Sequence, residues 1–215
     1  MTTALVVLLA TLQSPAASPP SAASGLDGAP RRYDVVAAES AVTIEVGKSG
    51  LFGFAGHEHE VTAPAFDGQV VADPAALERS SVTLRFEAGA LQVTGRGEPA
   101  ADVPEVQEVM LGPKVLDVQR FPAIVFRSTG VKGRALGAGG VYELEVEGEL
   151  ELHGVKHPLT LPMRVEIAGG TLSASGSARF RQSLFGLKPI SVGGVVKVKD
   201  ELAITFRILA RERTN

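Results

Sequence analysis

Cysteine and tryptophan are both missing from this 215-residue chain, tyrosine occurs twice, and aromatic residues make up only 5%. Without cysteine there can be no disulfide, thiolate zinc site, iron–sulfur cluster or cysteine nucleophile. A lipid-anchored lipoprotein is excluded as well, because no cysteine follows the N-terminal apolar run. Basic excess is also missing: 21 Lys and Arg stand against 24 Asp and Glu, a net charge of −3, so nothing suggests nucleic acid. No apolar run approaches the roughly 20 residues that a membrane helix needs. The catalytic patterns Gly-x-Ser-x-Gly and His-Glu-x-x-His do not occur. Gly47-Lys48-Ser49 imitates the end of a phosphate loop, but Val42 stands where that loop requires glycine.

What remains is ordinary globular composition, 45% hydrophobic and 21% charged. It is unevenly spread. The first 30 residues contain no Lys or Arg and one acid, Asp27. They run apolar from Ala4 to Leu12, then rich in Pro, Ala, Ser and Gly from Ser14 to Pro30. This pattern suits the apolar core of a secretory signal, with small residues at Ser14-Pro15-Ala16 and Ser21-Ala22-Ala23 for cleavage. Residues 1–30 are therefore expected to be signal peptide and flexible linker, and residues 31–215 one domain. The expected location is periplasmic or secreted.

Along that domain the hydrophobic period is two. Tyr142, Leu144, Val146, Gly148, Leu150 and Leu152 share one face, opposite Glu143, Glu145, Glu147, Glu149 and Glu151. A turn at His153-Gly154-Val155 leads to a second strand with His157, Leu159, Leu161, Met163, Val165 and Ile167 on one side. Gly169-Gly170 is a hairpin signal. A third strand follows, alternating Leu172, Ala174, Gly176, Ala178 and Phe180 with Ser173, Ser175, Ser177, Arg179 and Arg181. Shorter alternations occur around Val42–Val46, Val82–Phe86, Ile124–Phe126 and Leu202–Ile208, and a strand interrupted by Pro64 and Gly68 is expected over Glu58–Ala72. The one helical spacing lies in Pro104–Val118, where Asp102 and Glu105 could form a capping box and Gly112-Pro113 should break the helix.

Many long strands, each with one apolar face, form a sandwich or a closed barrel. Hairpin connections favour the barrel, which removes edges. The fold class is all-β: an antiparallel up-and-down β-barrel of about eight strands with one or two short helices. Small residues on its inner faces (Gly148, Ala174, Gly176, Ala178) either admit a neighbouring element or leave room for a ligand.

Three segments resemble a known family. They are Met110–Phe126 with its Leu116-Asp117 and Pro122, Gly148–Leu159 with Leu152-His153-Gly154 and Pro158, and Phe180–Leu187 with Phe185-Gly186. The chain is similar to the YceI-like family of periplasmic polyisoprenoid-binding proteins over about Tyr33–Ala210. The resemblance implies a lipocalin-like barrel with an apolar tunnel. It also implies a bound isoprenoid lipid, such as a quinone or polyprenyl chain, and export.

Candidate ligand-lining residues are Phe86, Leu144, Val146, Leu161, Met163, Phe180 and Phe206 on the strand faces. Phe52, Phe54 and Phe185 are candidate ligand-binding residues as well, in two loops, Phe52–Phe54 and Ser183–Leu187, expected to gate entry. The same apolar faces would equally serve as plain core, and the sequence does not separate the two. No catalytic residue and no required cofactor is expected, so the chain is expected not to be an enzyme. Histidines form two close pairs, His57/His59 and His153/His157, which offer an alternative metal- or haem-associated redox role. Arg179 and Arg181 could meet an anionic head group, or simply face solvent, as the five glutamates are expected to do. The expected partner is a hydrophobic small molecule, without nucleic acid or membrane insertion; a homodimer is left open.

Overall fold

The computed structural model describes residues 29–49, 59–96, 99–189, 191–192 and 196–214. The first strands of the chain are β1 (Arg31–Val35), β2 (Ala41–Ser49), β3 (His59–Thr62), β4 (Phe66–Ala72), β5 (Ser81–Glu87) and β6 (Gln92–Val93). Helix α1 (Val103–Leu111) is followed by β7 (Ala123–Ala135), β8 (Val141–Leu152), β9 (Val155–Ala168), β10 (Thr171–Arg181), β11 (Ser191–Val192) and β12 (Val196–Glu212). Several of these are halves of one longer strand. A one-turn helix at Ala37–Glu39 separates β1 from β2, and both pair with β12. Residues 63–65 separate β3 from β4, which pair with β2 and β1 respectively. A turn at Ala88–Ala90 separates β5 from β6. Counted this way, the sheet is a closed eight-stranded antiparallel barrel, because β12 pairs back onto β1.

The alternation read from sequence gives the walls directly. On β8, Tyr142, Val146, Leu150 and Leu152 are buried, while Glu143 and Glu145 point out. Four of the five glutamates are not merely solvated: Glu143, Glu147, Glu149 and Glu151 pair across strands with Arg134, Lys132, Lys156 and Arg127. The turns after β8 and β9 are two-residue turns with left-handed φ at both positions, 53° and 73° at His153-Gly154 and 55° and 74° at Gly169-Gly170. That geometry matches the twist of the strands it joins. On β7 a bulge between Ser128 and Gly130 inserts Thr129, so Val131 takes over the inward side from Ile124 and Phe126.

The barrel is not equally paired at its two ends. Between β9 and β10 the ladder runs from Ala168↔Thr171 only to Met163↔Gly176. The two-residue turn at 169–170 makes even-numbered residues of β9 turn their N–H toward β10. Pro158 and Pro162 occupy two of those positions and have no N–H to offer. The upper parts of the strands therefore separate, β9 staying with β8 and β10 with β12. A second opening lies beside β6, which pairs with β3 but, among the described residues, has no strand on its other edge. Helix α1 sits there.

The helix ends at Leu111, at the break expected from Gly112-Pro113, where Gly112 leaves helical geometry (ψ 176°). Two other expectations change here. The Asp102 side chain makes no capping bond, and its backbone is already helical (φ −88°, ψ −21°), which turns the carboxylate away from the free N–H groups. Gly68 does not interrupt β4: it lies inside the strand, with Leu84 and Val35 packed where a Cβ would stand.

Candidate functional site

The barrel encloses a cavity of about 740 Å³ that runs along its length. That is within the range of small-molecule sites, roughly 300–1,000 Å³. Its wall includes Tyr142 at one end of β8 and Leu152 at the other, about 33 Å apart at the rise of an extended strand. Polar side chains line only the ends. Asp73 and Ser80 lie at one end, and His59, Asp102, Glu105, Gln182 and Lys188 at the other. Between them the wall is made of Val, Leu, Ile, Phe, Met and Ala side chains.

Core and tunnel wall, inseparable in sequence, differ here. Inward-facing Val82, Leu84, Phe86, Leu144, Leu159, Met163, Phe180 and Ile204 are only half-buried although they point into the barrel. A filled core would bury them as fully as it buries Phe126 at 3% exposure. The inner glycines do not account for that space. A Cβ at Gly148 would collide with the Phe126 ring and stand 2.6 Å from the Arg127 carbonyl, and one at Gly176 would stand 2.7 Å from Phe206. Both glycines admit neighbouring groups. Ala174, by contrast, lines the cavity.

Of the expected lining residues, Phe86, Leu144, Val146, Leu161, Met163, Phe180 and Phe206 all face this cavity. Phe52, Phe54 and His57 lie outside the described residues. Phe185 does not line the cavity. It is 1% exposed and fills the gap between β9 and β10, its ring 5.4 Å from Phe180 and 5.9 Å from His157. The physical reason is the missing β9–β10 ladder, which leaves an apolar slot that an aromatic ring occupies. The surrounding segment Ser183–Leu187, expected as a gate, is tied down in this structure. Asp200 accepts hydrogen bonds from the Ser183 N–H (2.9 Å) and hydroxyl (2.7 Å), and Gln182 donates to the Lys199 carbonyl (2.7 Å). Those two bonds from Ser183 hold the Asp200 carboxyl below the usual carboxylate range.

The wall also contains residues that the strand pattern did not single out. Val106, Val109 and Met110 of α1 close one side of the cavity. Their helical spacing was visible in the sequence, but nothing there showed that the helix would stand in for a strand. Gln107 holds it in place: its Oε1 accepts the Val93 N–H at 2.7 Å, and its Nε2 donates to the Leu91 carbonyl at 2.8 Å.

The histidines are dispersed. His59 lies at the cavity mouth. His153 occupies the β8–β9 turn, its ring 4.4 Å from that of Phe121, and His157 faces Phe185. Among the described residues no three His, Asp or Glu side chains converge on a point that could hold a metal ion. Arg179 pairs with Glu201 at 3.2 Å on the outer surface. At the far end the Asp73 carboxylate is fully buried; Oδ1 accepts the Ala75 and Ala76 N–H groups, and Oδ2 is 2.8 Å from Arg79 Nε. That carboxylate shapes the turn after β4.

No helix among the described residues is long and apolar enough to cross a membrane. Comparison with curated protein sequences finds no match. Among solved structures, BcnA of Burkholderia cenocepacia superposes with a TM-score of 0.63 at 21% identity, covering 81% of this chain and 98% of its own. A polyisoprenoid binding domain from Saccharophagus degradans, implicated in plant cell wall breakdown, gives 0.61 at 10% identity over 84% and 98%. The YceI protein of Campylobacter jejuni gives 0.52 at 11% identity over 72% and 85%. These likenesses are of fold, and the same barrel is matched in sequence: over residues 33–210 the chain carries the YceI-like domain, and it belongs to that family.

Proposed function

We propose that this chain is a non-catalytic binding protein that encloses a long hydrophobic molecule of isoprenoid type, a quinone or polyprenyl chain, and carries it through an aqueous compartment. One observation carries the reading: an elongated cavity of about 740 Å³ whose middle is entirely apolar and whose polar groups stand only at its ends. Such a tube matches an amphiphile with a long uniform tail. Each Å² of apolar surface that the tail and wall remove from water contributes roughly 25 cal/mol. Enclosure needs no nucleophile, no proton transfer and no cofactor, only a dry and sufficiently long channel. The polyisoprenoid binding domain of the same fold supports this choice of cargo. The apolar run Ala4–Leu12 and the family support placing the carrier in the periplasm.

Organic extraction of protein purified under mild conditions, followed by mass spectrometry, tests the reading. An isoprenoid lipid recovered in near-stoichiometric amount is the expected result. Protein that carries no lipid, and takes none up from mixed quinone and polyprenol micelles, would overturn it.

A further inference from the structure

Entry to the cavity requires part of its wall to move, and the wall is not uniformly held. Most strand walls are fixed by ladders on both edges; the β9–β10 gap is filled by the fully buried Phe185, and the gap beyond the β5–β7 ladder is held by Ser128 and the Leu77–Arg79 turn. Helix α1 is different. It belongs to no ladder, and none of its residues is fully buried, although Val106, Val109 and Met110 face the cavity. Few buried apolar contacts mark a segment that opens at low free-energy cost.

The two ends of the helix are also held unequally. Its C-terminus is wrapped by the following segment: the Leu116 N–H donates to the Met110 carbonyl, Val118 to Leu111 and Asp117 to Gly112, and Leu116 itself is buried in the core. Toward its N-terminus, among the described residues, the helix is hydrogen-bonded to the barrel through Gln107 alone, and it packs there through the partly buried Val106 and through Val103, which approaches Gly95. Gln107 does at the open edge of β6 what a neighbouring strand would do, accepting one backbone N–H and donating to one carbonyl. It is a two-bond ladder that a side chain can release.

We propose that α1 is the movable wall of the cavity, swinging on its C-terminal anchor, with Gln107 as the latch that closes it against β6. This rests on the reading of the cavity as a cargo site. It locates the portal at the β6 edge rather than at the Ser183–Leu187 segment, which the Asp200 bonds and Phe185 hold shut.

The chain's lack of cysteine makes a clean test available. A Cβ at Gly95 would stand 3.1 Å from Val103 Cγ2, so Gly95→Cys with Val103→Cys should form a disulfide that pins α1 to the end of β6. Gly95 has φ +74°, so the single Gly95→Cys variant serves as the control for backbone strain. The full chain is mixed with N-phenylnaphthylamine, a neutral apolar fluorophore, and uptake is followed in time. With the disulfide formed, uptake should slow by about tenfold or more and reach the same final fluorescence, because opening then needs local unfolding. Reduction should restore the rate. Gln107→Ala, which needs no cross-link, should speed release by about tenfold, the scale of two lost hydrogen bonds near 0.7 kcal/mol each.

Equal uptake rates in the oxidised and reduced double variant, or an unchanged release rate in Gln107→Ala, would overturn the portal while leaving cargo binding intact. Failure of the unmodified chain to take up the probe at all would instead remove the cargo reading, and the portal with it.

Discussion

The two ends of this barrel are closed by different means. At the end formed by the turns 73–80, 136–140 and 169–170, backbone pairing does most of the work: β1 joins β4 to β12, and β8, β9, β10 and β12 remain in register. The one gap there, beyond the β5–β7 ladder, is stitched by the Val82 N–H donating to Ser128 Oγ and by the turn Leu77–Arg79 packing on β7. At the opposite end, among the described residues, the ladder fails beside β6 and between β9 and β10. Side chains then take over, Gln107 in one gap and Phe185 in the other. A backbone ladder is cooperative, whereas a single side chain can be withdrawn. A barrel that must hold a guest and release it can keep one end of the first kind and the other of the second.

The largest test of that contrast is Phe185→Ala. Loss of a fully buried ring should cost about 3–5 kcal/mol of stability, measured as a lower urea midpoint with an unchanged slope. Amide exchange should rise in the upper part of β9, Val155–Leu161, and stay slow where β9 pairs with β10. A uniform rise along β9 would mean that the gap is not a separate structural unit. Gly176→Val attacks the point where the ladder stops. Its side chain would collide with the Phe206 ring and with the Pro162 carbonyl, a backbone atom that cannot rotate aside. Overpacking of this kind should cost about 1–3 kcal/mol and extend the fast-exchanging region of β9 downward. Gly139→Ala, where nothing lies near the new Cβ, should leave stability unchanged.

How far the sequence reaches is itself different at the two ends. The period of two located β8, β9 and β10 almost residue for residue, because each has one wet face and one dry face and a two-residue turn at its limit. It identified seven residues that do face the cavity. It missed β1, whose five residues, Arg31–Val35, are too few for a period, and it stopped short on β7, where Thr129 shifts the alternation by one. The β9–β10 gap was written in Pro158 and Pro162, but their meaning depends on which neighbour each N–H faces, and that requires the turn registers. Phe185 was grouped with the lining residues for the same reason: an aromatic residue beside a barrel strand reads alike whether it enters the cavity or seals its wall. The role of Gln107 had no local signal, since a glutamine in mid-helix is unremarkable until a strand edge lies beside it.

The paired end offers a smaller effect of opposite sign. Tyr33 is 1% exposed, and its hydroxyl, which has the Arg31 side chain beside it, makes no well-formed hydrogen bond among the described residues. Burial raises its pKa above the usual phenol value, with Glu212 adding to the effect and Arg31 opposing it. A buried hydroxyl without a well-formed hydrogen bond is a cost, so Tyr33→Phe should be neutral or should stabilise by up to about 1 kcal/mol. The raised native value also means that stability falls as pH rises above the unfolded tyrosine range, since there the unfolded chain releases a proton that the native chain keeps. The substitution should flatten the alkaline limb of a stability–pH curve, and an unchanged limb would assign it to another group.

The smallest effect belongs to the split end, at Asp200. Its native pKa is depressed by the Ser183 hydroxyl and N–H, so its contribution is present above the ordinary carboxylate value and is lost as pH falls through the lower native one. The carboxylate is exposed to solvent, so the effect on global stability should be slight. Local order is the more sensitive readout. Backbone NMR of the Ser183 amide should report loss of its hydrogen bond on acidification, at a pH below the usual carboxylate range. In Asp200→Asn that transition should vanish, because the amide oxygen can still accept but carries no charge to lose. If the β10–β12 ladder on either side loosened at the same pH, the segment would be part of the paired barrel, and the distinction between an end closed by backbone and an end closed by side chains would fail at that gap.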